Sequence, residues 1–412
     1  MTAESTRNLG WRVTLAGTGI NLALGVLYAW SIISGEIEGW NQTMKSIPYS
    51  IACGVFALTM VPAGRLQDRL GPRLTASIGG LLTGLGFILC SVWGSFTGFI
   101  VGFGVLAGIG IGFGYASATP PALKWFPASR TGLIAGVVVS GFGLASAYIG
   151  PLARWLVASF GLSTSMLIMG VAFLIIVVLL AQLLVNPPPG YVPAAPAASR
   201  AATPSAAGAV QAANMSPGAM IRDSRFWILW MMYACGAGAG LMVIGKLKPI
   251  VQDAAGDLTW FAPLCLSVLA VGNAAGRIIA GIISDRLGRS TTMFLIFVIQ
   301  AAVMVGLIFY GTLAPIAIAL SFLAGFNYGA NLSVFPSATK DLFGLKNFGL
   351  NYGVMFTAWG FGGVVLPIVA GKVADVTGSF NLAYIIAATC LVVASALSFI
   401  VRKKNAPTGA TA

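Results

Sequence analysis

Gly64-Arg-Leu-Gln-Asp68-Arg69-Leu-Gly71-Pro-Arg73 and Gly281-Ile-Ile-Ser-Asp285-Arg286-Leu-Gly288-Arg289 are one short phrase written twice. Gly, Asp, Arg, Leu and Gly coincide at an offset of 217 residues. The same offset pairs Phe126 with Phe343, Gly132-Leu133 with Gly349-Leu350, Gly136 with Gly353, and Gly143 with Gly360. A single Asp-Arg-Leu-Gly match is weak. Several matches at one offset, each at the corresponding place in a run of apolar segments, indicate an internal duplication.

The segments around the phrase set the class. Of 412 residues, 58% are hydrophobic and 8% charged. A soluble domain carries about 25% charged residues, so the long apolar runs read as membrane helices. Twelve spans fit, roughly 11–34, 47–67, 72–94, 97–118, 130–157, 161–186, 224–248, 258–284, 290–312, 314–334, 348–374 and 379–401. Between the sixth and seventh lies a stretch rich in Ala, Pro and Ser, opening Asn186-Pro-Pro-Pro-Gly, which reads as a linker. The expected fold is all-α: two pseudo-symmetric six-helix halves, 1–186 and 224–412, joined by a flexible cytoplasmic linker, 187–223. Parallel repeats flanking a central site are a transporter architecture.

Charge sets the orientation. With the N-terminus inside, seventeen of the 23 Lys and Arg fall on inner segments, five on outer ones, and Arg277 on neither. That bias places both termini in the cytoplasm. It also accounts for the net charge of +13 without a nucleic-acid partner, because the charges are spread over every inner loop. The first apolar run, starting near Trp11, lacks an A-x-A cleavage site and reads as a retained helix. The five cysteines lie in apolar runs without metal-ligand spacing and read as free buried thiols. No metal or other cofactor is expected.

Arg277 is the anomaly. It lies inside Leu266-Ser-Val-Leu-Ala-Val-Gly-Asn-Ala-Ala-Gly-Arg-Ile-Ile-Ala-Gly281, where a cation costs ~2.5–3.5 kcal/mol on insertion scales. No acidic residue lies mid-span to pair with it, so the default reading is an anion site in the bundle interior. A guanidinium holds a carboxylate through two parallel charge-assisted bonds. Asn273 is one turn earlier on the same face. It either donates to the ligand or bonds within its own helix. Tyr115 in Gly112-Phe-Gly-Tyr-Ala and Tyr328 in Gly325-Phe-Asn-Tyr-Gly are repeat mates at an offset of 213, and each either points into a cavity or packs between helices. Leu27, Tyr28, Phe356 and Trp359 are candidate apolar walls, with plain helix packing the alternative. Gly104, Gly108 and Gly112 form a stripe for close helix packing. Asp68 and Asp285 lie just before spans three and nine, where a carboxylate suits a helix N-terminus, with Arg69, Arg73, Arg286 and Arg289 as partners.

Twelve spans, a central linker and two Gly-x-x-x-Asp-Arg-x-Gly loops resemble the major facilitator superfamily over nearly the whole chain. The resemblance implies that Asp68, Arg69, Arg73, Asp285, Arg286 and Arg289 form a cytoplasmic gate locking the outward-open state. Leu22-Ala-Leu-Gly-Val-Leu-Tyr28-Ala-Trp30-Ser, Lys124-Trp-Phe-Pro-Ala-Ser-Arg130-Thr-Gly-Leu-Ile-Ala-Gly136 and Asn351-Tyr-Gly-Val-Met-Phe-Thr-Ala-Trp359-Gly are similar to the monocarboxylate transporters and oxalate–formate antiporters. Two departures stand out. Asn273 occupies the place where animal monocarboxylate transporters carry Asp. Trp359 aligns with the second cation of the oxalate antiporters. One buried cation suits a monoanion better than a dianion.

The implied protein is a secondary active transporter moving a small monocarboxylate such as lactate or pyruvate with a proton, by alternating access. It is expected in a bacterial inner membrane and to function as a monomer. The alternative is a carboxylate exchanger. An enzyme lacks material: the chain has no His, and its ten acidic residues sit at span ends or in loops. Asp257, at the outer start of span eight, is the proton-coupling candidate. A solvated loop charge is its alternative reading.

Overall fold

The computed structural model describes residues 9–35, 37, 39–40, 42–193, 214–255, 261–310 and 313–403. Asp257 and the middle of the linker, 194–213, lie outside the described residues.

Backbone polar groups in hydrocarbon need partners, and a helix satisfies its own. The apolar runs accordingly form α1 (Gly10–Leu24), α2 (Trp30–Gly35), α3 (Gln42–Leu70), α4 (Pro72–Val92), α5 (Phe96–Phe99), α6 (Gly108–Lys124) and α7 (Thr131–Ala181) in the first half. A 3-10 segment, Gly25–Ala29, joins α1 to α2, and a π-helical stretch, Ile100–Ala107, joins α5 to α6. The second half holds α8 (Pro217–Arg222), α9 (Ser224–Ala255), α10 (Phe261–Leu287), α11 (Arg289–Tyr310), α12 (Ala314–Phe343), α13 (Phe348–Thr377) and α14 (Asn381–Lys403). Ten helices among the described residues are long and apolar enough to cross a membrane. The longest, α7, is two rods meeting at Gly161, whose φ of 74° breaks the helix. With the broken first rod, α1 to α2, the count becomes the twelve read from sequence.

Gly71 and Gly288, the last glycines of the doubled phrase, have φ of 89° and 85°. L side chains rarely adopt that conformation, so glycine ends α3 and α10 and lets the chain turn into the next rod. The Gly104–Gly108–Gly112 stripe packs on α3 at Ile51, Ala52 and Thr59.

The linker's far end is held, contrary to expectation. Met215 N donates to Phe343 O, the Asn214 side chain accepts from Leu345 and Lys346 N–H, and Met215 O accepts from Asn347 and Asn351. Ser216 caps α8 through Ala219 N at 3.3 Å.

The halves meet along two crossed pairs, α3 with α13 and α7 with α10. Glycines permit backbone contact there. Gly64 lies against Gly349, Gly132 against Gly281, Gly136 against the Arg277 backbone, and Gly353 against the Met60 backbone. These pairs are repeat images of one another. They draw the halves together from the doubled loops up to the level of Arg277.

Candidate functional site

Arg277 is 0% exposed. Its Nε donates to Asn273 Oδ1 at 3.0 Å, and Nη1 donates across the half interface to Val139 O on α7. Nη2 has no hydrogen-bond partner. The side chain thus bonds both within its helix and across the interface, and one nitrogen is left over among the described residues. Gly143 makes this possible, since a Cβ there would stand 3.1 Å from Nε. Asn273 spends its carbonyl oxygen orienting Arg277.

Beside the guanidinium lies a small cavity lined by Phe56, Tyr115, Phe142, Arg277, Leu332, Phe356 and Trp359. The aromatic rings lean on one another. Phe356 stacks on Trp359 at 5.0 Å and meets Phe56 at 5.2 Å and Tyr115 at 5.4 Å. The result is one fixed positive charge in an apolar, low-dielectric wall, where an electrostatic contact is far stronger than in water. Tyr328 stands behind Trp359, whose Nε1 donates to its hydroxyl at 3.0 Å.

Of the sequence candidates, Arg277, Tyr115, Phe356 and Trp359 come together on the cavity, with Asn273 behind Arg277. Leu27 is fully buried in the 3-10 segment but is not part of the lining. Tyr28 is on the same segment, and its side chain lies outside the described set. Phe56, Phe142 and Leu332 were not anticipated. Phe142 had a signal: it is the repeat mate of Trp359 at the offset of 217.

The doubled loops correct one expectation. Asp68 and Asp285 do not serve the helices that follow them. Asp68 accepts from Gly349 and Leu350 N–H at 3.0 and 2.8 Å, at the start of α13 in the other half. Asp285 accepts from Gly132 and Leu133 N–H at 2.8 and 2.9 Å, at the start of α7. The carboxylates still neutralise helix N-termini, but across the interface. The arginines are unequal. Arg289 pairs with Asp285 and with Asp341, both at 2.8 Å. Arg73 donates to Leu184 O at 3.2 Å. Arg69 and Arg286 are exposed and make no ion pair among the described residues. Lys340 Nζ adds a further cross-interface bond, to Thr131 Oγ1 at 2.5 Å.

The Major Facilitator Superfamily model matches residues 12–317 and 261–412. The chain belongs to this superfamily. It is a multi-pass membrane transporter and not an enzyme. It is 26% identical to the oxalate:formate antiporter of Oxalobacter formigenes over 98% of this chain and 95% of that one. It is 25% identical to monocarboxylate transporter 13 of Bos taurus over 94% and 88%. In fold it resembles the Escherichia coli fucose:proton symporter FucP, with a TM-score of 0.72 and 17% identity over 96% and 99% of the two chains.

Proposed function

We propose that this transporter carries a small monocarboxylate together with a proton by alternating access, with Arg277 as the carboxylate anchor. The observation that carries the reading is the Nη2 of a fully buried arginine, without a partner among the described residues, beside an aromatic-lined cavity. An unmet charged donor in a dry site favours an anion over any neutral ligand. The acids proposed are short ones such as lactate or pyruvate. One guanidinium balances one negative charge, and the ring of Trp359 leaves a second charge unmatched. Relatives named for monocarboxylates support the substrate class.

In this reading the doubled-loop end faces the cytoplasm of a bacterial inner membrane, as the Lys and Arg bias implies. Asp68 and Asp285 then form a cytoplasmic gate, and the clasped end corresponds to an outward-facing or occluded state of a monomer. Arg289 reinforces the gate, whereas Arg69, Arg73 and Arg286 contribute through topology. Asp257 is retained as an outer proton-entry candidate, to be tested by Asp257→Asn. Tyr328 supports the cavity through Trp359, and Leu27 and Tyr28 are assigned to the wall met by the substrate as the cavity opens.

The test is uptake of formate, acetate, lactate, pyruvate and oxalate into proteoliposomes at two pH values. Monoanion uptake accelerated by an inward proton gradient, and abolished in Arg277→Ala, is the expected result. Uptake accelerated only by preloaded anion would favour exchange, the reading supported by the 26% identity to an oxalate:formate antiporter.

A further inference from the structure

Two more tyrosines reach the same aromatic cluster, and carboxylate binding does not use them. Tyr233 on α9 and Tyr352 on α13 are 0% and 3% exposed. Their rings pack on Phe356 at 6.2 and 5.8 Å, the ring that Tyr115 meets at 5.4 Å. The two phenols are electrostatic neighbours of each other and of Tyr115, and Tyr233 also faces Tyr328 and Arg277. The Tyr352 hydroxyl is set against those of Tyr233 and Tyr115, and no other hydrogen-bond partner meets Tyr233 or Tyr352 among the described residues. Burying a hydroxyl is costly, and phenylalanine would fill the same space without the oxygen.

Their placement is directional. Tyr115 lines the Arg277 cavity. Tyr352 is within one turn of the Gly349 and Leu350 amides that Asp68 holds, and its ring stacks on Phe348 at 5.8 Å. The phenols therefore step from the cavity toward the clasp. The ionisable groups along that line are Arg277 at the cavity and Asp68 with its neighbour Lys124 at the clasp. No carboxylate stands between them among the described residues, and the chain has no His. A phenol both donates and accepts. It can therefore pass a proton while staying neutral, which suits a low-dielectric interior where a buried charge is costly.

We propose that Tyr115, Tyr233 and Tyr352 form a proton path between the Arg277 cavity and the clasped end. At each hop one O–H bond forms on the receiving oxygen as its own proton leaves for the next. Every phenol ends neutral, and the net transfer is one proton. The hydroxyls reorient between hops. The proposal rests on the proton–monocarboxylate reading.

Full-length Tyr233→Phe, Tyr352→Phe and the double variant keep the rings and lose only the oxygens. They are compared with the unaltered protein in proteoliposomes, using the best acid from the formate, acetate, lactate and pyruvate panel. Uptake driven by a proton gradient should fall at least about tenfold, while counterflow at equal pH, which needs no net proton movement, should be unchanged. Thermal melting checks the fold. Equal losses in both assays, or no loss of gradient-driven uptake, would overturn the path. If the unaltered protein exchanges anions but ignores the gradient, the symport reading fails and the path fails with it. That result is distinguishable because it appears without any substitution.

Discussion

The two halves share a backbone plan and differ in where they put charge. At the offset of 217, Arg277 answers to Met60, Asn273 to Phe56, Ser284 to Gln67, and Arg289 to Pro72. The backbone contacts are kept on both sides: Gly136 lies on the Arg277 backbone as Gly353 lies on that of Met60. So is the pairing of each aspartate with two amides of the opposite half. The side chains diverge. Asp285 has Arg289 four residues on, in ion-pair contact, and Arg289 also bonds Ser284 Oγ at 2.5 Å. Asp68 has Pro72 there and makes no ion pair among the described residues, while the Gln67 carboxamide beside it has no partner. Duplication supplied a symmetric hinge, and substitution made one half the charged one. A transporter needs both: close-packed symmetry so that two states have similar energy, and asymmetry so that a single anion is bound at one centre.

The strongest way to break this comparison is to copy the first half into the second. Arg277→Met, which installs the residue of the mate position, should cut carboxylate uptake by about a hundredfold or more, as expected for loss of a buried ionic anchor. Radiolabel uptake checks it, with thermal melting as the fold control.

The symmetric layer should respond symmetrically. Gly136→Ala and Gly353→Ala each drive a Cβ into an opposing backbone carbonyl. Overpacking costs ~1–3 kcal/mol, so each should shift the population away from the clasped state by about tenfold. Thiol labelling of a cysteine introduced at the clasped end should rise alike in both; unequal responses would refute the symmetry.

The clasps should then be unequal. Asp285→Asn weakens the hold on the α7 amides and strips Arg289 of a partner, so it should reduce net uptake about tenfold, in line with ~1.5–3 kcal/mol for bonds to a charged group. Asp68→Asn leaves no arginine unpaired and should cost less in the same assay. Equal losses would mean that Arg289 does nothing for the clasp.

The smallest effect should come from grafting the missing pair. Pro72→Arg places a cation four residues after Asp68, worth ~0.3–0.5 kcal/mol on a helix. Turnover should slow by no more than about twofold, and the slowing should vanish in high salt.

Much of this was legible in the residues, for identifiable reasons. The repeat is visible because positive-φ and close-contact glycines cannot be replaced without strain, so Gly64, Gly71, Gly132 and Gly136 recur with their mates. Arg277 was legible because a charge inside a membrane helix has few uses. The cavity wall was harder to read. Tyr115 and Tyr328 stood out as symmetric tyrosines, yet only Tyr115 faces the cavity, because helix rotation is set by neighbouring helices. The aspartates were assigned to the helices next in sequence, since proximity along a chain is all that a sequence displays.

The sequence by itself determined the twelve-rod duplicated membrane fold and the fully buried cation Arg277, because hydropathy, glycine sterics and charge cost are local properties. Only the tertiary structure decided which helix each aspartate caps, which nitrogen of Arg277 is left over, and which rings enclose it. Those depend on how two helices from opposite halves pack, a relation between residues more than a hundred positions apart that no local pattern encodes.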